Sequence, residues 1–458
     1  MKKIGFNGLV LAALALSSSV FAQPIKKDTT IRLVTLDPGH FHAALVQKSM
    51  YSGIDPVVYV YAPKGADVQS HLKLIDSYNT RADNPTNWKE EVYLGDDYLD
   101  KMLAEKKGNV VVMAGNNRRK TEYIKKSIDA GFGVLGDKPM AIDHKNFGLL
   151  KAAFATAARK KLVLYDIMTE RYEITNALQR EFAMLPQVFG KQEKGTPAHP
   201  GIEMESVHYF YKYVSGSVLT RPTWAFDVTQ QGEGLQDVGV HLVDLTQWEC
   251  FPGRVINYKK DIQFTNASHW ASDITLRQFN TVTKSNGFPD FLKNKVVNDT
   301  LLKVYCNGQV NYKLFGVNVK LTAKWAYKAV AGGDSQYSVL RGTKAKLVIL
   351  QGAEQNYTPV LYIEPNNPND AAYDAQVQQL LRLIQAKYPG VMLQKQSNRW
   401  MVVIPAKYND GHEAHFARVT NKFLEYLEKG DMPKWEVPNM IAKYYTTTTA
   451  LSIARGNK

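Results

Sequence analysis

Ile31-Arg32-Leu33-Val34-Thr35-Leu36 is followed by Asp37-Pro38-Gly39-His40 and then by the helix-like stretch from Phe41 to Lys48. An unbroken aliphatic and β-branched run fits a strand buried on both faces, and Asp-Pro-Gly fits a tight turn, so the segment predicts the strand, loop and helix that open a βαβ unit. Further along, Val57-Val58-Tyr59-Val60-Tyr61 is a second strand, stopped by Pro63 and Gly65, and Asn109-Val110-Val111-Val112-Met113-Ala114 is a third, ending in Gly115-Asn116-Asn117. A helix from Thr121 to Ala130 leads through Gly131 to Val134-Leu135, and a helix from His144 to Lys160 precedes Leu162-Val163-Leu164-Tyr165. This alternation predicts an α/β domain over residues 31–165, a Rossmann-type parallel sheet with helices on both faces.

Beyond about residue 166 the pattern changes. A helix from Glu173 to Met184 is followed by strand-like segments at Glu203 to Val214, Leu301 to Tyr305, Val310 to Leu314, Val317 to Tyr327 and Val339 to Ile349. Many strands with few helices between them predict an α+β domain over 166–458, with a large, mostly antiparallel, open-faced sheet. Residues 365–410 read as an inserted helix and hairpin, and the chain closes with helical Ala414 to Lys429 and Pro438 to Ala454. With 458 residues and 45% hydrophobic content, the chain is long enough for two proper cores.

The N-terminus carries Met1-Lys2-Lys3, an apolar run from Leu9 to Leu16, and Ser17-Ser18-Ser19-Val20-Phe21-Ala22 before Gln23. That order predicts a cleavable secretory signal over 1–22, a linker over 23–30, and a periplasmic protein. The apolar run is shorter than the roughly 20 residues that span a bilayer, so no membrane span is expected. Loss of Lys2 and Lys3 lowers the formal charge from +14 to +12. The remaining basic residues are scattered, and no nucleic-acid module or nucleic-acid partner is expected. Cys250 and Cys306 are the two cysteines, and their separation in sequence leaves open whether they pair.

Dinucleotides bind outside the carboxyl ends of parallel strands, where a glycine loop and a helix N-terminus meet the pyrophosphate. After the first strand, Gly39 fills the second position of G-x-G-x-x-G, while Asp37 and His42 stand at the first and third. Asp37 would place a carboxylate near phosphates, whereas His40 and His42 could donate to them. Tyr61-Ala62-Pro63-Lys64 stands where a ribose-binding acid is usual, which leaves NAD as the default cofactor and NADP open.

Gly136-Asp137-Lys138-Pro139-Met140 follows a strand at the rim where a nicotinamide would lie, and a lysine there can stabilise a developing alkoxide. Farther on, Gly234-Leu235-Gln236-Asp237-Val238-Gly239-Val240-His241-Leu242-Val243-Asp244 puts Asp237, His241 and Asp244 at helical spacing. On one helix Asp237 and His241 would point together, a carboxylate orienting a histidine suited to proton transfer at neutral pH. Catalytic zinc needs three protein ligands, and with His412-Glu413-Ala414-His415 as the only competing cluster no metal centre is expected.

These segments together resemble the Gfo/Idh/MocA oxidoreductases (glucose-fructose oxidoreductase, inositol dehydrogenase and relatives). Their Glu-Lys-Pro motif appears as Asp137-Lys138-Pro139, and their Gly-x-x-Asp-x-Gly-x-His-x-x-Asp motif as Gly234 to Asp244. Ala114-Gly115-Asn116-Asn117 stands at their Thr-Pro-Asn strand end, and Ser338-Val339-Leu340-Arg341-Gly342-Thr343 is like their Gly-Thr turn. Arg118-Arg119-Lys120 departs from the histidine usual there. The resemblance implies that Lys138 contacts the reacting oxygen, Asp237 helps hold the substrate and His241 acts as general acid/base. Gly39, His40, His42, Asn116, Asn117, Asp137 and Lys138 would border the cofactor.

It further implies hydride transfer at a hydroxyl or ketone, C3 being favoured, of a small sugar or glycoside, with Trp224, Trp248 and Tyr209 available to stack on a pyranose. Pairing of copies through the second sheet is also implied. Outside the cytoplasm free cofactor is scarce, so a tightly held, recycled NAD(H) is expected. The leader lacks a twin-arginine pair, so the cofactor would be acquired after translocation. Two alternatives stay open: a glycosidase acting by transient C3 oxidation and elimination, and a non-catalytic sugar-binding or regulatory protein on a degenerate Rossmann scaffold.

Overall fold

The computed structural model describes residues 30–214, 217–330 and 333–456. The secretory signal expected over 1–22 lies outside them. The first sheet holds β1 (Leu33–Leu36), β2 (Val57–Ala62), β3 (Lys89–Leu94), β4 (Val110–Met113), β5 (Gly133–Asp137) and β6 (Leu164–Ile167). Every pairing in it is parallel, in the order β3-β2-β1-β4-β5-β6, which is the doubly wound arrangement. Its crossovers are α1 (His42–Leu45), α2 (Ala66–Thr80), α3 (Tyr98–Glu105), α4 (Lys120–Ala130) and α5 (His144–Lys160). β1, β4, β5 and β6 are buried at every position, as strands covered on both faces must be.

Local chemistry sets the helix ends. The Asp143 side chain accepts from the Asn146 amide to cap α5, and Gly131, at φ 99°, closes α4 in a left-handed conformation open to glycine at no steric cost. The helix expected over 41–48 is a single turn, α1, continued by turns. β3, a charged edge strand, left no aliphatic run to read.

After α6 (Ile174–Ala183) the chain builds the second domain. Its strands are β7 (Ile202–Tyr211), the short pair β8 (Tyr213–Val214) and β9 (Ser217–Val218), then β10 (Ile262–Thr275), β11 (Val296–Val297), β12 (Leu301–Leu314), β13 (Val317–Lys328), β14 (Ser335–Arg341), β15 (Ala345–Leu350), β16 (Val360–Pro365), β17 (Met392–Lys395) and β18 (Trp400–Val403). Apart from β8 and β9 they form one sheet in the order β10-β12-β13-β7-β14-β15-β16-β18-β17, with β11 beside β12. Only the β7–β13 pairing is parallel, so the sheet is mostly antiparallel as expected. The runs at 301–305 and 310–314 are one strand, whereas 339–349 is the hairpin β14–β15.

The helices are α7 (Val228–Gln231), α8 (Gly234–Asp237), α9 (Gly239–Cys250), α10 (Tyr258–Asp261), α11 (Leu276–Thr283), α12 (Ala371–Lys387), α13 (Gly411–Lys429) and α14 (Glu436–Ala454). Residues 365–410 hold α12 and the β17–β18 hairpin, which extends the sheet edge. One expectation is revised: α13 leaves the second domain and packs on the first. Phe416, Val419, Phe423 and Tyr426 join the Rossmann core, with the Phe423 ring stacked on Tyr165.

α14 clamps the two domains through buried charge. Lys443 Nζ lies 2.8 Å from Asp166 and 2.7 Å from Asp244, and Arg171 reaches Asp244 at 2.6 Å and Glu436 at 2.8 Å. A buried charge network of this kind fixes geometry, because breaking any member strands a buried ion. Cys250 and Cys306 are free thiols.

Candidate active site

A cavity of about 590 Å³ lies between the carboxyl ends of β4 and β5, the α8–α9 segment and the start of α13. Lys138, at the end of β5, and Asp237, at the end of α8, both reach it. Lys138 Nζ donates to the Asp237 carbonyl at 2.9 Å and to its Oδ1 at 3.0 Å. Burial opposes charge on both, yet the neighbouring Asp237 and Asp137 carboxylates raise Lys138 above the usual lysine range, and Lys138 holds Asp237 below the usual carboxyl range.

Asp237 and His241 share the cavity but are not bonded to each other. α8 and α9 meet at Val238, which keeps right-handed helical dihedrals, and the Asp237 carboxylate bonds Lys138 instead of the imidazole, so Asp237 orients the lysine. Asp244 points the other way, into the interdomain network. His241 is buried, and its Nδ1 has no hydrogen-bond partner among the described residues. Burial, then the Lys138 and His208 charges, hold it well below the usual histidine range, leaving a neutral imidazole able to accept a proton.

The first-strand loop differs from expectation in an instructive way. Asp37 adopts φ 46°, the left-handed conformation that the first glycine of the pattern normally supplies. Its carboxylate accepts from the Tyr123 hydroxyl at 2.9 Å, turning towards phenols and not towards a phosphate site. A Cβ on Gly115 would come within 2.6 Å of the Asp37 carbonyl and 2.7 Å of the Gly39 amide, so the loop rests directly on the β4 end. At Gly39 an added Cβ would lie 3.0 Å from Asp67 Oδ2 and 3.3 Å from the Trp224 ring. Asp67, in the first turn of α2, is thus the acid beside the glycine loop that the reading of Tyr61 to Lys64 stopped short of. The Gly39 and His40 amides donate to the Ala114 carbonyl at 3.1 and 3.2 Å, so the groups that fit a dinucleotide here are side chains, Asp67 to take ribose hydroxyls and Lys138 at the far end.

The other loop residues serve different ends. Asn116 donates to the Gln230 side chain at 2.6 Å, and Asn117 binds the Gln230 and Gln231 carbonyls, so both tie β4 to the second domain. His40 and His42 converge on Asp137, with His42 Nδ1 3.0 Å and His40 Nδ1 3.5 Å from Asp137 Oδ2. Burial works against the Asp137 charge, but the two imidazoles and Lys120 keep its carboxyl well below the usual range. The reading that no metal centre is present meets here a gathered set of donors. The His412–His415 pair diverges, His412 towards His42 and His415 towards Asp410.

Of the aromatic candidates, Trp224 lines the cavity and donates to Asp67 at 2.9 Å, while Trp248 stacks under Arg180 away from it and Tyr209 is not on its wall. Trp325, His208, Asp334, Lys212 and Glu170 are also on the wall. They come from β7, β13, a 3₁₀ turn and loops, positions at which the sequence carries no motif. Burial pushes the Glu170 carboxyl up to about 7.

Residues 178–455 match the family described as "Putative oxidoreductase C terminal domain". A solved chain from Parabacteroides merdae that carries the same oxidoreductase description is 55% identical, covering 94% of this chain and 98% of that one, with a TM-score of 0.91. Levoglucosan dehydrogenase, solved with NADH and levoglucosan, covers 93% and 98% at 12% identity and TM-score 0.57. The 3-ketoreductase KijD10 from Actinomadura kijaniata, solved with NADP and TDP-benzene, covers 93% and 98% at 14% identity and TM-score 0.52. At those identities the last two show a shared fold. No curated protein matches the chain. Parallel sheet, open mixed sheet, family match and near relative agree: the chain belongs to this oxidoreductase family, built on the Gfo/Idh/MocA-type fold.

Proposed function

We propose that the chain is a periplasmic oxidoreductase that keeps NAD(H) tightly bound, with NADP as the alternative cofactor, and interconverts a hydroxyl and a ketone, C3 being favoured, on a sugar or glycoside. The observation that carries this reading is the placement of the Lys138–Asp237 pair and a neutral His241 on one cavity beside the glycine loop. The ligands solved with levoglucosan dehydrogenase, NADH and levoglucosan, and with the 3-ketoreductase KijD10, NADP and TDP-benzene, support the cofactor and substrate classes. The export reading rests on residues 1–22. Pairing of two copies over the open face of the second sheet belongs to the same proposal.

Asp67 and Lys138 would hold the dinucleotide, which supplies or accepts the hydride when bound. His241 takes the hydroxyl proton as the carbon is oxidised and returns it on reduction. Lys138 stabilises the developing oxyanion at the same oxygen, and Asp237 aims it there through two bonds to its Nζ. Trp224 and Trp325 exclude water and offer apolar faces to a ring. A second reading, a glycosidase that oxidises C3 transiently, loses the C2 proton and the aglycone, adds water at C1 and a proton at C2, and returns the hydride to C3, draws support from Glu170, a cavity-wall carboxyl poised near neutrality to carry a proton.

The test is absorbance and released-ligand analysis of the purified protein before and after glycosides and 3-keto sugars are added. Bound dinucleotide whose redox state follows the sugar supports the reading. Aryl glycoside cleavage without accumulating ketone selects the glycosidase. No dinucleotide even after reconstitution refutes both.

A further inference from the structure

We propose that His40, His42 and Asp137 form a binding site for a zinc-class divalent cation, with Nδ1 of each imidazole and Oδ2 of the carboxylate as ligands and a fourth position open to the cavity. Those three donor atoms lie within 4.8 Å of one another. The distances from Oδ2 to the two nitrogens, 3.0 and 3.5 Å, bracket the edge of a tetrahedron whose bonds are about 2.0 to 2.1 Å long, which is roughly 3.3 Å. An ion placed among them comes within reach of all three donors.

A hydrogen-bond network alone leaves something over. His40 Nδ1 is buried and, among the described residues, makes no hydrogen bond, the Asp137 carboxylate standing off at 3.5 Å, although its ring packs edge-on against His42 with centroids 4.1 Å apart. A cation supplies the missing partner for that nitrogen. The surroundings also match what a ligating histidine needs. With Nδ1 of His42 on the ion, its Nε2 carries the proton and donates to His412 Nε2 at 2.9 Å, fixing tautomer and ring orientation from α13.

Two imidazoles and one carboxylate, with a water in the remaining place, is the ligand count of an open zinc centre. Lys120, whose Nζ donates to the Asp137 carbonyl, and Lys138 face the site as cations, while Asp237 offsets the second of them. His40, His42 and Asp137 line the same cavity as Lys138 and His241, so an oxygen of a bound ligand can reach the open position. The site stands independently of the hydride-transfer reading.

The full chain, stripped with a chelator and dialysed against zinc chloride, is expected to bind one zinc per chain, and cobalt(II) in its place to give the intense visible bands of a four-coordinate ion. His40→Ala and His42→Ala are each expected to abolish stoichiometric binding, and His412→Gln to weaken it about 10- to 100-fold. His199→Ala, at an exposed turn, is expected to bind like the parent and controls for adventitious surface binding. His40 keeps 31% of its side chain exposed, so its truncation leaves the fold standing even where His42→Ala does not. Zinc bound below about a tenth of an equivalent, or bound equally by parent and His40→Ala, overturns the proposal.

Discussion

Replacing Lys138 by methionine separates two roles that the structure gives one side chain. Lys138 and Asp237 keep 13% and 7% of their side chains exposed, and the lysine is the cation bonded to that carboxylate. Removing one partner of a buried pair costs about 3–5 kcal/mol, because the other charge is left uncompensated. The low end, about 3 kcal/mol, is expected here, since the Gln231 side chain also donates to Asp237. The stranded carboxyl titrates above its unfolded value, so the deficit grows as pH rises beyond the ordinary carboxyl range and is smaller at about pH 5 than at about pH 8. Adding Asp237→Asn removes the stranded charge, and the double variant is expected to recover stability to within about 1 kcal/mol of the parent. Turnover is not recovered. Loss of one oxyanion donor costs about 10²- to 10³-fold in kcat, and the double variant keeps that loss. Urea unfolding at two pH values and nicotinamide absorbance under saturating sugar measure the two halves. A folded Lys138→Met enzyme with kcat within a few-fold of the parent refutes the oxyanion role, and a double variant less stable than the single one refutes the charge argument.

His241→Gln is expected to lower kcat about 10²- to 10⁴-fold while leaving dinucleotide affinity in place. Because burial depresses the imidazole well below 6.5, the parent should lose kcat/KM only as pH falls below that depressed value; a limb near 6.5 that vanishes in the variant would contradict this. Gly115→Ala pushes a methyl against the Asp37 carbonyl and Gly39 amide, so a loss of about 1–3 kcal/mol in stability and weaker dinucleotide binding, read by fluorescence titration, are expected. His71 is buried in α2 with neither nitrogen hydrogen-bonded, and burial lowers it to about 4. The unfolded chain takes up that proton first, so stability falls as pH drops from about 6.5 to about 4, by roughly 3 kcal/mol at most. His71→Leu is expected to flatten that acid limb in urea titrations at stepped pH, and an unchanged slope would rule the assignment out.

Much of the fold was legible because burial on both faces forces an aliphatic run, and β1 and β4 are such runs. β10 escaped notice for the opposite reason. Its Ser, Asn and Asp residues carry no strand preference, and it is a strand because β12 offers it a ladder along its whole length. The motif residues Lys138, Asp237 and His241 were found in sequence and do meet on one cavity. Their pairing was not legible, because the partner that the Asp237 carboxylate takes is Lys138, a residue of the other domain that only the packing of the two domains brings near.

By itself, the sequence determined which segments are strands buried on both faces, where the chain passes from alternating elements to an open sheet, and which lysine, aspartate and histidine sit where chemistry is possible. Local patterning suffices for these, since hydrophobic period and turn residues act over a few positions. Only the tertiary structure decided that Asp37 turns to tyrosines, that Asp67 guards the glycine loop, and that α13 returns to bring His412 against His42 beside His40 and Asp137. Those contacts join residues far apart in the chain, and no local preference encodes a distance that the packing of two domains sets.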